Sequence, residues 1–133
     1  MSRSVAKLMV VGLTSLTVLV GAVRANDEIE ALMKTIAGKK GGAHPALKKL
    51  LVGAEPDWAA VSTETKKYAD STAKLAAMKP EKGDQKSWEK LCKEFDAAAK
   101  ELNAAAGKKD KKAADAAFAK LSEACEVCHE AHR

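Results

Sequence analysis

The 133 residues carry 23 lysines and arginines against 18 acids, a formal charge of +5, with 47% hydrophobic and only 4% aromatic side chains. This length allows one domain, and lysines scattered among acids, with so few aromatics to stack on bases, argue against a nucleic-acid surface. Three cysteines and three histidines carry most of the metal-binding and nucleophilic chemistry, and two of each fall in the last nine residues, CEVCHEAHR.

The first element reads as an export signal. MSRSVAK carries Arg3 and Lys7, Leu8 to Val23 is free of charge, and Val-Arg-Ala ends at Ala25. That is the pattern of a secretory signal peptide. The uncharged run, diluted by Gly, Ser and Thr, falls short of the ~20 strongly apolar residues of a spanning helix. The expected division is a signal peptide over residues 1–25 and one folded unit over residues 26–133, periplasmic and without stable membrane insertion after cleavage. Cleavage removes Arg3, Lys7 and Arg24 but no acid, so the formal charge falls from +5 to +2.

The folded unit is rich in Ala, Lys and Glu, lacks runs of Val, Ile or Thr, and reads as all-helical. A first helix is expected over Asn26 to Ala37, with Asn26 or Asp27 as cap and Ile29, Leu32, Met33 and Ile36 as one apolar stripe. GKKGGAHP follows, after which Ala46 to Leu51 is briefly helical; one long broken helix and a loop both fit this stretch. A second helix starts near Asp57, after Pro56. It places Trp58, Val61, Thr65, Tyr68, Thr72 and Leu75 on one side and stops before Pro80.

The third helix begins between Asp84 and Ser87, carries Trp88, Leu91, Cys92, Phe95, Ala98, Leu102 and Ala105 on one face, and ends at Gly107. The fourth starts about Asp110 and aligns Ala114, Phe118, Leu121, Cys125 and Cys128. Short links at Lys79 to Gly83 and Gly107 to Lys109 make neighbouring helices antiparallel, so the expected architecture is an up-and-down four-helix bundle. Alanine buries little area per residue, so a large apolar group is expected to fill the centre. Cys92 reads as a small buried hydrophobe.

Cys125-x-x-Cys128-His129 is the attachment signature of c-type haem: two thiols add across the porphyrin vinyl groups and the adjacent imidazole becomes an axial iron ligand. Spacings of three and four residues put all three groups on one side of a helix. Arg133, one turn beyond His129, can reach the same face and neutralise a propionate. His132 reads as a surface or supporting group rather than a ligand. Zinc held by Cys125, Cys128, His129 and His132 would require unwinding the helix. A thioredoxin-like site would need a preceding strand, and a Cys125 to Cys128 disulfide would leave His129 unexplained.

These features resemble the cytochrome c′ family. The likeness covers most of residues 26–133: the VGAEPDW lead into the second helix, Trp88-x-x-Leu91-x-x-x-Phe95, the run AAAKELNAAAGKKDKKAADAAFAKL, and CEVCHEAHR itself. His132 stands where that family often has an aromatic residue, and Arg133 stands at its basic position. The resemblance implies a haem-binding four-helix bundle with one covalent haem c on the last helix, anchored by Cys125 and Cys128, with His129 as proximal iron ligand.

In that family the residue on the other face of the iron comes from the first helix, which makes Met33 the expected distal ligand. Leu32 is the alternative for a merely steric distal residue, and His44, expected to be exposed before a proline in a glycine-rich loop, is a third candidate. The expectation is therefore a periplasmic electron carrier rather than an enzyme, moving single electrons between redox partner proteins through His/Met-ligated iron. The alternative is a five-coordinate high-spin protein that binds nitric oxide or carbon monoxide. Pairing of two chains through the first two helices, as in many members, is left open by the sequence.

Overall fold

A computed structural model describes residues 25–133. The expected signal peptide, residues 1–25, lies outside them except for Ala25. The described chain folds into five helices: α1 (Ala25–Ala37), α2 (Ala43–Leu50), α3 (Trp58–Leu75), α4 (Gln85–Gly107) and α5 (Lys111–His132). There is no strand among the described residues.

The long helices begin where the sequence places caps. Asp57 Oδ1 accepts from the backbone N–H groups of Ala59 and Ala60, both at 3.1 Å. Asp84 accepts from Ser87 N–H at 2.9 Å, and Asp110 accepts from Ala113 N–H at 3.0 Å. Each satisfies a donor that the first turn of a helix leaves unpaired. Asn26 and Asp27, expected as caps, instead lie inside the first turn of α1, where the Asp27 carboxylate still favours the positive end of the helix dipole.

The open question between α1 and α2 resolves as a break. Helical hydrogen bonding runs on from Lys34 O to Gly38 N, then Gly41 takes φ +78, a conformation that only glycine adopts freely. At Gly42 a Cβ would overlap the backbone of Gly38, so the chain passes through a tight turn before α2 starts. The two short helices together take the place of the first helix of a four-helix bundle. α3, α4 and α5 supply the rest, each antiparallel to the one before it through a short connection.

The buried stripe of α4 matches the expected one, with Trp88, Cys92, Phe95, Ala98, Leu102 and Ala105 inside, and Leu91 is the partly exposed exception. Tyr68, Leu102, Leu121, Val61 and Leu47 are all fully buried and make one core with the alanines of α4 and α5. These side chains pack the middle of the bundle. Small side chains let the backbones approach closely, and a few large ones fill what is left.

The unfilled space lies at one end. α1 packs on α2 and α3, but no Cα atom of α1 comes within 8 Å of one in α4 or α5. Correspondingly only Ile36 of the α1 stripe is fully buried, while Ile29, Leu32 and Met33 are partly exposed. Two partly buried polar pairs tie α3 to α4: Thr65 Oγ1 donates to Asn103 Oδ1 at 2.9 Å, and Thr72 Oγ1 donates to Asp96 Oδ1 at 3.0 Å. No described helix is long and apolar enough to cross a membrane.

Candidate functional site

The gap between α1 and the far half of α5 is a cavity of about 640 Å³. That is within the few-hundred to ~1,000 Å³ range of sites for small molecules and cofactors. Met33 and Ile29 border it from α1, Cys128 and His129 from α5, Trp88 from α4, and Pro80 to Lys82 from the α3–α4 connection. A narrow apolar cleft of about 30 Å³ leads inward from it between Leu75, Leu91, Phe95 and Cys125. Met33, Trp88, Cys128 and His129 border both spaces.

Helical spacing produces this convergence. Cys125 and Cys128 are half-buried on the inward side of α5, while His129 is exposed at the cavity edge. All three cysteines are free thiols. Burial pushes the Cys125 thiol up, partly offset by the Tyr68 hydroxyl, and burial also pushes up that of Cys128. The Cys92 thiol, 2% exposed, is pushed up by burial to about 12. It therefore behaves as the inert hydrophobe expected from the sequence.

The expected site residues fall out as follows. Cys125, Cys128, His129 and Met33 share one connected space, and Arg133 borders its mouth. At that mouth Glu30 pairs with Lys34 at 2.6 Å, and the ammonium holds the Glu30 carboxyl below its usual range. Leu32 and His44 border neither the cavity nor the cleft. His132 also borders the cavity, with its ring nitrogens bonded to Ser87 and to the carbonyl of Lys82 in the α3–α4 connection. Among the described residues no three His, Cys, Asp or Glu side chains converge as a metal-ion cage.

Sequence reasoning missed one polar cluster. His44, expected to be exposed, lies in the first turn of α2, half-buried. Its ring stacks on Phe118 at 4.5 Å and its Nδ1 is 3.1 Å from the fully buried Tyr68 hydroxyl. Tyr68 in turn meets Phe95 edge-on at 5.7 Å. The cluster meets the cleft at Phe95, which lines it together with Cys125. No local pattern signals it, because its members come from α2, α3, α4 and α5.

The arrangement fits a c-type haem on three counts. Two half-buried thiols stand three residues apart on one helix, beside an imidazole at the cavity edge. The space in front of them is large, with Ile29, Met33, Pro80 and Trp88 as its apolar border and charged side chains such as Glu30, Lys82 and Arg133 around them, and it narrows inward to an apolar cleft. The helix across that space offers a thioether. No family model and no curated protein matches the chain. Among solved structures it is similar to cytochrome c′ from Thermochromatium tepidum, with 22% identity over 82% of this chain and 95% of that one, and a TM-score of 0.65. At that identity the likeness establishes the fold: a four-helix bundle of the cytochrome c′ type.

Proposed function

We propose that the chain is a monohaem c-type cytochrome that, after export to the periplasm, carries single electrons between redox partner proteins. One observation carries the reading: Cys125, Cys128 and His129 of α5 border the same space as Met33 of α1, and the two helices stand apart across it. Cys125 and Cys128 would hold one haem c through two thioethers, with His129 as proximal iron ligand. When bound, the haem supplies a reversible one-electron couple at its iron.

The other residues set the conditions for that couple. Met33 offers a soft sulfur donor from the facing helix, the ligand type that raises the potential of a His-ligated iron. Leu75, Leu91 and Phe95 keep the inner cleft apolar, and a low dielectric favours the less charged oxidation state. Arg133, at the mouth, can neutralise a propionate.

Of the three distal candidates only Met33 borders the cavity, which supports electron transfer over gas binding. The optical spectrum of the oxidised protein tests this choice. A low-spin spectrum with a weak sulfur-to-iron band at the red edge supports Met33 ligation. A high-spin, five-coordinate spectrum overturns it and gives the function to nitric oxide or carbon monoxide binding.

A further inference from the structure

His129 occupies the final turn of α5, which closes at His132. The last four carbonyls of a helix have no partner within it, so such a turn frays unless something outside holds it. A ligand-bearing imidazole on a fraying turn would be poorly oriented. The structure holds this turn through the side chain of His132.

His132 Nδ1 lies 2.8 Å from the carbonyl of Lys82. A carbonyl only accepts, so Nδ1 carries the hydrogen and donates. Nε2, 3.2 Å from Ser87 Oγ, then accepts from that hydroxyl in the neutral ring. The ring meets Trp88 edge-on, centroids 5.4 Å apart and planes at 83°. Trp88 is itself fixed, its Nε1–H donating to Leu75 O at 3.0 Å in a buried bond. Lys82 Nζ adds a donor to the carbonyl of Arg133 at 3.4 Å. One imidazole thus ties the end of α5 to the α3–α4 connection at Lys82 and to the first turn of α4 at Ser87, and that connection is a wall of the cavity.

The sequence of the connection is built around this contact. Gly83 has φ +88, and a Cβ there would overlap His132 Nδ1 and the Ala131 carbonyl. Any other residue at position 83 is strained in its backbone and also displaces the histidine ring.

We propose that His132 is a positioning residue: it latches the α3–α4 connection to the last turn of α5 and so holds the His129 imidazole in a single orientation toward the cavity. The inference rests on the haem reading for its purpose, and on hydrogen bonds and packing alone for its existence.

Three variants of the full protein test it. His132→Phe keeps an aromatic ring against Trp88 but loses both hydrogen bonds. Gly83→Ala forces the connection away from His132 and the Ala131 carbonyl without changing any residue of α5. His132→Asn keeps a donor close to the position of Nδ1. Loss of one or two hydrogen bonds predicts amide exchange about tenfold faster or more at residues 129–133 and 82–87 in His132→Phe and Gly83→Ala, with His132→Asn closer to wild type. In the haem-loaded protein, the electron paramagnetic resonance of the oxidised iron goes from one species to several in the first two variants, and back toward one in His132→Asn. Unchanged exchange in both His132→Phe and Gly83→Ala overturns the latch. Faster exchange with a single, unaltered resonance overturns its positioning role. A protein that carries no haem overturns the functional reading instead, and the exchange measurement still judges the latch.

Discussion

The Tyr68 hydroxyl and His44 Nδ1 meet at 3.1 Å, with the imidazole stacked on Phe118 and its Nε2 3.5 Å from Ser122 Oγ. A consistent neutral assignment has Tyr68 O–H donating to Nδ1 and Nε2–H directed at Ser122, whose own hydroxyl donates to the Phe118 carbonyl at 3.1 Å. Burial holds the imidazole below its ordinary value, and Lys48 adds a smaller repulsion. As pH falls the unfolded chain therefore takes up this proton before the folded one. The stability His44 contributes is complete above its unfolded value of about 6.5 and is lost as pH drops through that value toward the folded one. Thermal unfolding between about pH 7.5 and 5.5 should show a larger fall in Tm for wild type than for His44→Gln. Equal slopes would contradict the assignment.

The same contact predicts a non-additive pair. Tyr68→Phe leaves a half-buried imidazole nitrogen without its donor and should cost about 1–3 kcal/mol. His44→Leu combined with Tyr68→Phe should cost less than the sum of the two single changes, because neither partner is then left unpaired. A double-mutant cycle in urea reads this directly. Strict additivity would mean that the two side chains do not interact.

Core and cavity should respond differently to truncation. Leu121 is fully buried against α4, so Leu121→Ala should cost about 2–5 kcal/mol. Ile29 borders the cavity and is partly exposed, so before a cofactor is loaded Ile29→Ala should cost about 1 kcal/mol or less. Urea unfolding of the unloaded variants separates the two. Equal losses would show that the end of the bundle is packed as tightly as its centre.

Asp57 caps α3 through one oxygen that accepts from two backbone N–H groups. Asp57→Ala should lower stability by about 0.5–2 kcal/mol, and Asp57→Ser should recover most of the loss. Circular dichroism melts measure both.

Met33 and Leu32 are chain neighbours with different surroundings, since only Met33 borders the cavity. Met33→Ala should turn a low-spin oxidised spectrum into a high-spin one and abolish the band at the red edge, while Leu32→Ala should leave both in place. The reverse pattern would move the distal ligand off Met33.

What could be read from the sequence follows from what is local. The stripe from Trp88 to Ala105 has helical spacing, and the aspartates at 57, 84 and 110 sit where caps belong, so the starts of α3, α4 and α5 and the end of α4 were legible almost to the residue, while α3 stops at Leu75, several residues short of the Pro80 limit. The C-x-x-C-H spacing likewise placed Cys125, Cys128 and His129 on one side of α5. The break after α1 was not decidable, because three glycines permit both a kinked helix and a loop; the outcome depends on the positive φ at Gly41 and the contact of Gly42 with Gly38. The roles of His44 and His132 were hidden for a different reason. Their partners lie 24, 45, 50 and 78 residues away, so neither periodicity nor spacing could connect them. The sequence predicted room for a large group but not its place, because which alanine-flanked stretches close up on Tyr68, Leu102 and Leu121 and where α1 stands off α5 depend on contacts between helices.

Intact mass spectrometry of the exported protein under denaturing conditions tests the central claim most directly. Thioether bonds survive unfolding, so the chain should weigh one haem more than residues 26–133, and Cys125→Ser with Cys128→Ser should remove that increment. A denatured wild-type protein with the mass of its amino acids alone would contradict the account.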